Sequence, residues 1–291
     1  SEKGWVYLIN DSNEFYQWAH GEKIWTSEQV AVVRNLFTER AKKINSMGSA
    51  YMKLIVPEKN IIYPEYLPHL FDGKSVSTLR PAMLLEQNSD DIFYLEKYLL
   101  SLKGFGRLYF KGDSHVTWLG AYYIYRYIYN KLTNLGLNLG APILLEELEP
   151  SVANYKGDLY GQLSEAQLTD VHGVWGAYNL ADSLGYEISY KNPKPEMFSV
   201  PSDQYIEKYG ESREVLVTES LNKSLPRAVI FRDSTVDFVQ PLLSRHFSRA
   251  IYIWHKGNVY QEVLEQEKPD VVIHQMAERF TSDYYKRSPL T

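Results

Sequence analysis

The sequence contains no cysteine, no excess of basic residues and no long hydrophobic run. Without cysteine the chain has no disulfide framework, no thiol nucleophile and no thiolate metal site. Its 31 basic residues are outnumbered by 36 acidic ones, and the formal charge of -5 and pI near 5.9 argue against nucleic acid as a partner. The seven histidines form no ligand-spaced cluster, so neither a metal nor another cofactor is expected.

The sequence also lacks a recognisable secretory signal and a membrane span. Its most apolar segment, residues 118–132, is interrupted by Arg126 and Asn130 and is too short to cross a bilayer. The chain begins at Ser1 and not at a methionine, so the lack of a signal does not fix the compartment.

The 291 residues are 44% hydrophobic and 23% charged, which is typical of a soluble protein with a large core. Tyrosine is abundant, with 24 residues beside 6 tryptophans. Such amphipathic rings suit sugar stacking or a wet cleft, although core and surface filling explains most of them.

The hydrophobic pattern alternates between strand-like and helix-like segments. Strands are predicted at residues 5–9, 52–56, 107–110, 227–231, 250–254 and 271–273, and helices at 26–44, 92–102, 119–132, 235–247, 259–266 and from 277 onward. This alternation predicts an α/β fold with a mostly parallel central sheet and helices on both faces.

Between about residues 142 and 225 the rhythm changes. Helix signals fade after residues 161–168, and polar strand-like pieces appear at 186–190 and 214–218. We interpret the range as a strand-containing insertion that lies over the sheet edge, within a single domain that spans residues 1–291.

Two serines follow an aspartate at a predicted strand exit, and each is a candidate nucleophile. Ser114 comes directly after Asp113, and Ser234 comes at the exit of a later strand. If Ser114 attacked, its base would come from a distant histidine such as His255 or His274. Neither has an aspartate at a convenient spacing, so this arrangement is the less economical one.

If Ser234 attacks, the base and its orienting acid are already paired. Asp113 would accept a hydrogen bond from the imidazole of His115, and His115 would take the proton of Ser234. A helix is predicted to start near Thr235, so the backbone amides of Ser234 and Thr235 are candidate oxyanion donors. Structural roles explain the same residues: Ser234 as a helix N-cap, and Asp113 with His115 as an aspartate turn with a solvent-facing histidine.

Six more side chains at predicted strand exits are candidates for contacts with a sugar, because open α/β sheets place their sites at these exits. A structural role would explain each of them as well. They are Lys59, Tyr63, Trp254, His255, His274 and Gln275.

The turn from Asp113 to Thr117 resembles the Asp-x-His-Trp-Thr signature of the AlgX/AlgJ-like, SGNH-hydrolase-like family and of the related DHHW proteins. Val116 departs from it, since the family often has tryptophan there. Five other segments resemble the same family in the same order along nearly the whole chain, at residues 4–8, 56–68, 157–159, 231–234 and 269–279.

The resemblance implies an SGNH-hydrolase-like Rossmannoid sandwich with a Ser-His-Asp triad in which the Asp-x-His pair precedes the serine. Carried onto this sequence, the triad is Ser234, His115 and Asp113. Members of the family are exported or membrane-anchored bacterial proteins associated with exopolysaccharide O-acetylation, which implies a periplasmic or extracellular location.

The expected function is therefore O-acetyl transfer to an exopolysaccharide or cell-surface glycan through an acetyl-serine intermediate. The expected partners are a polysaccharide acceptor and a membrane-bound acyltransferase that delivers the acetyl donor. Three alternatives stay open: a carbohydrate acetylesterase with the same triad, a non-catalytic glycan-binding assembly protein, and a lipid or small-ester hydrolase.

Overall fold

A seven-stranded sheet forms the centre of the described part of the chain. The computed structural model describes residues 4–9, 13–67, 75–87, 89–150, 157–164, 167, 188–191, 197–200, 205, 215–254 and 257–291. The strands are β1 (Ala50–Val56), β2 (Ile92–Tyr94), β3 (Leu148–Pro150), β4 (Ile188–Tyr190), β5 (Met197–Val200), β6 (Val215–Ser220), β7 (Arg227–Arg232), β8 (Arg249–Trp254) and β9 (Val271–Ala277).

The sheet has the order β2-β1-β9-β7-β8-β6-β5, and β3 pairs with β4 in a separate antiparallel ribbon. The four pairings among β2, β1, β9, β7 and β8 are parallel, whereas β6 runs antiparallel to β8 and to β5. The predicted mostly parallel sheet is thus confirmed. Because β1, β7 and β9 run in the same direction, their carboxyl ends meet at one edge, where open α/β sheets place their sites.

Helices cover both faces of the sheet, as predicted. They are α1 (Phe15–Ala19), α2 (Ser27–Ser46), α3 (Lys59–Ile62), α4 (Pro81–Glu86), α5 (Glu96–Leu102), α6 (Trp118–Asn134), α7 (Gln240–Leu243) and α8 (Gln261–Glu267). One face packs against α2, α4 and α8, and the other against α5, α6 and α7. None of the described helices is both long and apolar enough to cross a membrane.

Strand β1 illustrates how the sequence produces this two-sided core. Met52 and Leu54 point to the α6 face, whereas Tyr51 and Ile55 point to the α2 face. Successive side chains of a strand alternate between faces, so a strand that is buried on both sides is a nearly continuous apolar run. Lys53 is the exception within β1, and it too is fully buried, with its ammonium 2.6 Å from the Tyr284 hydroxyl.

Two predicted strands do not join the sheet. Residues 5–9 form no strand, and the Val6 amide donates instead to the carbonyl of Lys111. The predicted strand at 107–110 is reduced to a single bridge between Tyr109 and Val116. Both segments lie outside the sheet, where they support the loop that follows Phe110.

Three predicted helices also differ from the observed elements. Residues 92–94 form β2 beside β1, and the helix begins only at Glu96. The predicted helix at 235–247 is divided into the 3-10 helix Ser234–Phe238, α7 and a second 3-10 helix, because Pro241 has no amide hydrogen to continue a helix through its position. Strand β9 extends to Ala277 and is followed by 3-10 helices, not by a terminal α-helix.

The predicted insertion contributes strands to the sheet itself. Strands β5 and β6 form its antiparallel edge, so this part of residues 142–225 extends the sheet and does not lie over its edge. The helix signal near residue 161 corresponds to a 3-10 helix at Tyr160–Gln162. Residues 168–187 lie outside the described residues.

Candidate active site

A tight hairpin holds the loop that carries Asp113 and His115. The Thr117 amide donates to the Leu108 carbonyl at 2.8 Å, and the Phe110 amide donates to the His115 carbonyl at 3.2 Å. Thr117 is also the N-cap of α6, with its hydroxyl accepting an amide from the first turn. The loop is therefore fixed on one side by the hairpin and on the other by the start of a long buried helix.

Ser234, His115 and Asp113 come together at the carboxyl edge of the sheet. Ser234 Oγ lies 2.7 Å from His115 Nε2, and His115 Nδ1 lies 2.6 Å from Asp113 Oδ1. Ser234 lies two residues after the end of β7, whereas the other two residues lie 119 and 121 positions earlier in the loop before α6. The structure thus brings together the three residues that the sequence analysis assigned to a triad.

The direction of these hydrogen bonds follows from the donors around Asp113. Its Oδ1 accepts the backbone amide of His115 at 2.7 Å, and its Oδ2 accepts the backbone amide of Asp158 at 2.7 Å. Both oxygens are acceptors, so His115 Nδ1 is the protonated ring nitrogen and Nε2 is free to accept the Ser234 hydroxyl. This is the tautomer that a general base requires.

The electrostatic environment of His115 favours its charged form. Burial lowers the pKa of His115, but the hydrogen bond and charge of Asp113, together with the charge of Asp158, outweigh burial and raise the pKa above its usual value. Arg279 acts in the opposite direction. The side chain of His115 is 17% exposed and that of Asp113 is fully buried, so solvent reaches the imidazole but not the carboxylate.

Ser114, the competing nucleophile, is bound to a different residue. Its amide donates to Asp158 Oδ1 at 2.7 Å and its hydroxyl donates to Asp158 Oδ2 at 2.5 Å. A hydroxyl that donates to a carboxylate is not poised toward the imidazole. The geometry therefore favours Ser234 over Ser114.

Asp233 shapes the turn on which Ser234 lies. Its carboxylate accepts the Thr235 amide at 2.9 Å and the Ala277 amide at 2.5 Å, and its own amide donates to the Gln275 side chain at 3.4 Å. Asp233 is fully buried, so these bonds replace the hydration that the carboxylate loses. They tie the exit of β7 to the end of β9.

The expectation that Thr235 supplies an oxyanion donor is wrong for this geometry, because its amide is already donated to Asp233. The α-helix expected after Ser234 is also replaced by the five-residue 3-10 helix. The Ser234 amide is different, since no acceptor for it is found in the described part of the chain. Of the two backbone amides predicted as oxyanion donors, that of Ser234 therefore remains the candidate.

Lys59 and Tyr63, two of the predicted sugar contacts, are buried. Lys59 is 3% exposed, and its ammonium donates to the backbone carbonyls of Phe110, Lys111 and Asp113 at 3.1, 2.8 and 2.7 Å. The Tyr63 hydroxyl accepts the Leu108 amide at 2.9 Å. Both side chains support the loop before α6 from behind and offer no surface to a substrate.

His274 and Gln275 are fully buried as well. His274 Nδ1 lies 3.0 Å from the Arg40 guanidinium, on the face of the sheet that packs against α2. Trp254 is half-buried, with the Arg232 guanidinium 5.2 Å from its ring centroid. His255 lies outside the described residues, so Trp254 is the predicted contact whose position leaves part of the side chain open to solvent.

Two ion pairs surround the Ser234 turn and were not singled out in the sequence. Arg232 donates to Asp237 at 2.5 Å, and Arg279 donates through Nε to Glu58 at 2.8 Å. The Phe238 ring lies 5.4 Å from the His115 ring and forms an apolar wall beside it. Glu58 and Arg279 lie in segments that carry the family resemblance, and this was the feature of the sequence that could have identified them as site residues.

Asp158 is the most informative residue that sequence reasoning did not assign. It lies in the Gly157-Asp158-Leu159 segment, where the resemblance marked a motif without a role. The ligating atoms of Asp113, His115 and Asp158 lie within 4.8 Å of one another, a spacing that a metal ion could also use. A cation would have to displace the hydrogen bonds of the turn. We therefore interpret these three side chains as a hydrogen-bonded cluster and not as a metal centre.

The fold and this arrangement define a class: an SGNH-hydrolase-like α/β sandwich with a serine after β7 and a histidine and an aspartate in the loop before α6. No protein-family model matches the sequence, and no curated protein is significantly similar to it. Solved structures do share its fold. Bacillus cereus PatB1 superposes with a TM-score of 0.64 at 16% identity, over 90% of this chain and 94% of that chain.

A DHHW family protein from Eubacterium siraeum superposes with a TM-score of 0.62 at 14% identity, over 92% of both chains. The O-acetyltransferase domain of Pseudomonas putida AlgJ has a TM-score of 0.52 at 17% identity, over 92% of this chain and 88% of that chain. At these identities the similarity establishes the fold, and the expected SGNH-hydrolase-like architecture is confirmed.

Proposed function

We propose that the protein is a serine-dependent acyltransferase that O-acetylates an exopolysaccharide or cell-surface glycan. The observation that carries the proposal is the continuous hydrogen-bond chain from Ser234 through His115 to Asp113, with distances of 2.7 and 2.6 Å. Nucleophile, base and orienting acid within hydrogen-bond reach are the arrangement that activates a hydroxyl for acyl transfer.

The first half of the reaction forms an acetyl-serine. Ser234 Oγ attacks the acetyl carbonyl while its proton passes to His115 Nε2, and Asp113 stabilises the imidazolium. The bond to the leaving oxygen then breaks, and that oxygen takes the proton from Nε2. The Ser234 amide is the backbone donor that we assign to the oxyanion, and loss of one such donor typically costs about 3 kcal/mol of transition-state stabilisation.

The second half transfers the acetyl group to a sugar. A sugar hydroxyl gives its proton to His115 Nε2 as its oxygen attacks the acetyl carbon, and Ser234 Oγ leaves and recovers the proton. Water in the same position would give an acetylesterase instead. The two activities share every residue of the triad and differ in whether the cleft holds a hydroxyl in line and excludes water.

The comparisons support acetyl transfer at the level of fold. The AlgJ domain with the same fold is an O-acetyltransferase, and PatB1 has also been solved with a sulfonyl adduct. For this chain we propose a polysaccharide acceptor, a periplasmic or extracellular location, and an acetyl donor delivered by a membrane-bound acyltransferase.

Replacement of Ser234 by alanine should abolish turnover of a chromogenic acetyl ester. We expect a loss of about 10⁴-fold or more, because the nucleophile is removed while the fold stays intact. Ser114→Ala is the matched control, since the same atom is deleted from a serine whose hydroxyl donates to Asp158 and not to the base, and it should retain most of the turnover. Intact-mass analysis should detect one acetyl or sulfonyl adduct on wild type and none on Ser234→Ala.

Addition of an acceptor oligosaccharide separates the competing functions. Acetylated sugar formed at the expense of free acetate identifies a transferase, whereas unchanged release of acetate identifies an esterase. Saccharide binding without ester turnover or a Ser234 adduct would contradict both and would leave a non-catalytic glycan-binding protein. A preference for long acyl chains would identify a lipid or small-ester hydrolase.

A further inference from the structure

Asp158 is hydrogen-bonded to Asp113 and Ser114, and its carboxylate lies near His115. Its backbone amide donates to Asp113 Oδ2 at 2.7 Å, and its carboxylate accepts both the amide and the hydroxyl of Ser114, at 2.7 and 2.5 Å. Its Oδ2 also lies 4.0 Å from His115 Nδ1. Asp158 thus contacts Asp113 and Ser114 directly, and its carboxylate lies on the Nδ1 side of the His115 ring.

The backbone next to Asp158 makes this contact possible. Gly157 has a φ of +79°, and a Cβ atom there would lie 2.3 Å from the Gly112 carbonyl oxygen and 3.1 Å from Asp113 Cβ. The amides of Leu159 and Tyr160 both donate to that same carbonyl, at 3.1 and 3.0 Å. Residues 157–160 are therefore docked against the turn by backbone contacts, and Asp158 is held in place.

We propose that Asp158 is a positioning residue: it fixes the turn from Asp113 to His115, and its charge stabilises the imidazolium that forms when His115 takes the Ser234 proton. This inference rests on the proposed role of His115 as the general base. Asp113 already fills the direct hydrogen bond to Nδ1, so Asp158 acts through the turn and through its charge.

The charged groups that face His115 come from several elements. Asp113 and Asp158 lie on the Nδ1 side, Asp237 lies on the 3-10 helix after β7, and Arg279 lies after β9. Asp237 and Arg279 carry opposite charges and each has its own ion-pair partner. Asp158 is 39% exposed and lacks a cationic partner among the described ion pairs, so its charge acts on His115 without local neutralisation.

Asp158→Asn tests the charge with little change of shape. The amide oxygen still accepts from the Ser114 backbone, and the Ser114 hydroxyl can turn to accept from the new NH₂ group. We expect the acid limb of the kcat/KM profile for an acetyl ester to move to lower pH, because the loss of a negative charge makes His115 easier to deprotonate. At the optimum, kcat/KM should fall about tenfold, far less than for Ser234→Ala.

Ser114→Ala is the matched control for the hydrogen bond. It deletes the hydroxyl contact with Asp158 but keeps the charge and the amide contact, so its acid limb should coincide with that of wild type. An acid limb that moves equally in both variants would overturn the proposal, because the hydrogen bond and not the charge would then be responsible. An unmoved limb in Asp158→Asn would overturn it as well.

A titration of His115 by NMR separates this proposal from the proposed function. The His115 ring signal, assigned by its loss in His115→Gln, should titrate at lower pH in Asp158→Asn than in wild type and in Ser114→Ala. This readout needs no turnover. If wild type lacks esterase activity but the titration shifts as expected, the enzymatic function fails and the link between Asp158 and His115 stands; if the titration is unchanged, the link itself fails.

Discussion

Lys59 is a buried cation whose partners are backbone oxygens. Its ammonium donates to three carbonyls of the loop before α6, including that of Asp113 at 2.7 Å. The rings of Trp5 and Tyr7 also flank it, with centroids 5.8 and 5.2 Å from the nitrogen. A buried charge is tolerated where such donors and acceptors are matched, so Lys59 fixes the backbone on which the orienting acid lies.

Lys59→Met should therefore destabilise the fold and only secondarily impair the site. Methionine fills the space of the stem but leaves three inward-facing carbonyls without this donor, which we expect to cost about 3 kcal/mol in urea unfolding. Lys103→Met is the control: Lys103 lies over the Tyr63 ring at 4.6 Å but is 27% exposed, and its loss should cost less than about 1 kcal/mol. An unchanged stability with a raised KM for a glycan would instead make Lys59 a substrate contact.

At the scale of elements, the site depends on a close approach between two segments. Residues 157–160 pass against the loop at Gly112, where a Cβ atom on Gly112 would lie 2.2 Å from the Tyr160 ring. Gly157 meets the same loop from the other side in a left-handed conformation. Only glycine allows the two backbones to approach this closely, and the approach delivers the Asp158 amide to Asp113.

Gly157→Ala should separate these segments. The substitution adds a clash with the Gly112 carbonyl to the strain of a left-handed φ, so it should lower both the free energy of unfolding and kcat. Gly136→Ala is the matched control, because Gly136 has a φ of +89° with nothing within 4 Å of an added Cβ. It should lose about 1 kcal/mol from backbone strain alone, with kcat unchanged. Equal losses of stability in the two variants would show that the contact with the loop is unimportant.

The sequence allowed the central strands to be predicted because both of their faces are buried. Strands β1, β7, β8 and β9 are mainly apolar, and their strand exits carry the serine, the buried Glu58 and the half-buried Arg279. Strand β2 was missed because its three residues read as the first turn of the helix that follows. Edge strand β5 has only four residues and none of them is fully buried, so it gave no periodic signal.

The site was predicted where its members are local in sequence or belong to the motifs of the family resemblance, which joined Ser234 to His115 across 119 residues. The spacing of Asp113 and His115 marked a candidate pair, but the role of Asp158 depends on a contact across 44 residues. The orientation of the Lys59 and Gln275 side chains was not predictable either, because a position at a strand exit does not determine which way a side chain points. The capture of the Thr235 amide by Asp233 follows a common local pattern, in which a turn aspartate accepts the amide two residues later.

At the scale of the whole molecule, a buried charge network joins elements that are distant in the chain. Arg80, directly before α4, donates to Glu278 at 2.9 Å and also pairs with Glu96 of α5. Tyr94 of β2 donates to the other Glu278 oxygen at 2.6 Å. Arg80 and Glu278 are each 1% exposed. The network ties the residue after β9, next to Arg279, to the far edge of the sheet.

This network should make stability depend on pH through Glu278. Burial raises the pKa of Glu278 to about 7, although Arg80 and Tyr94 favour its ionised form. The pKa of Glu278 in the folded chain exceeds that of an unfolded glutamate, about 4.3, so the stability it contributes is fully present below about pH 4 and is lost as the pH rises through 7. In wild type this group should lower the free energy of unfolding in urea by on the order of 3 kcal/mol over that range. Glu278→Gln has no titrating carboxyl group at this position, so this fall should be absent from the variant.

Tyr94→Phe gives the opposing test of the same carboxyl group. It removes a hydrogen bond that stabilises the ionised form, so the pKa of Glu278 should rise further. The loss of stability should still begin near pH 4, but it should become larger and extend to higher pH. The two variants thus change the pH dependence in opposite directions: Glu278→Gln reduces the loss of stability, and Tyr94→Phe increases it and extends it to higher pH. If both variants followed the wild-type curve, another group would control the pH dependence, and the buried network would be a structural tie without a titrating member.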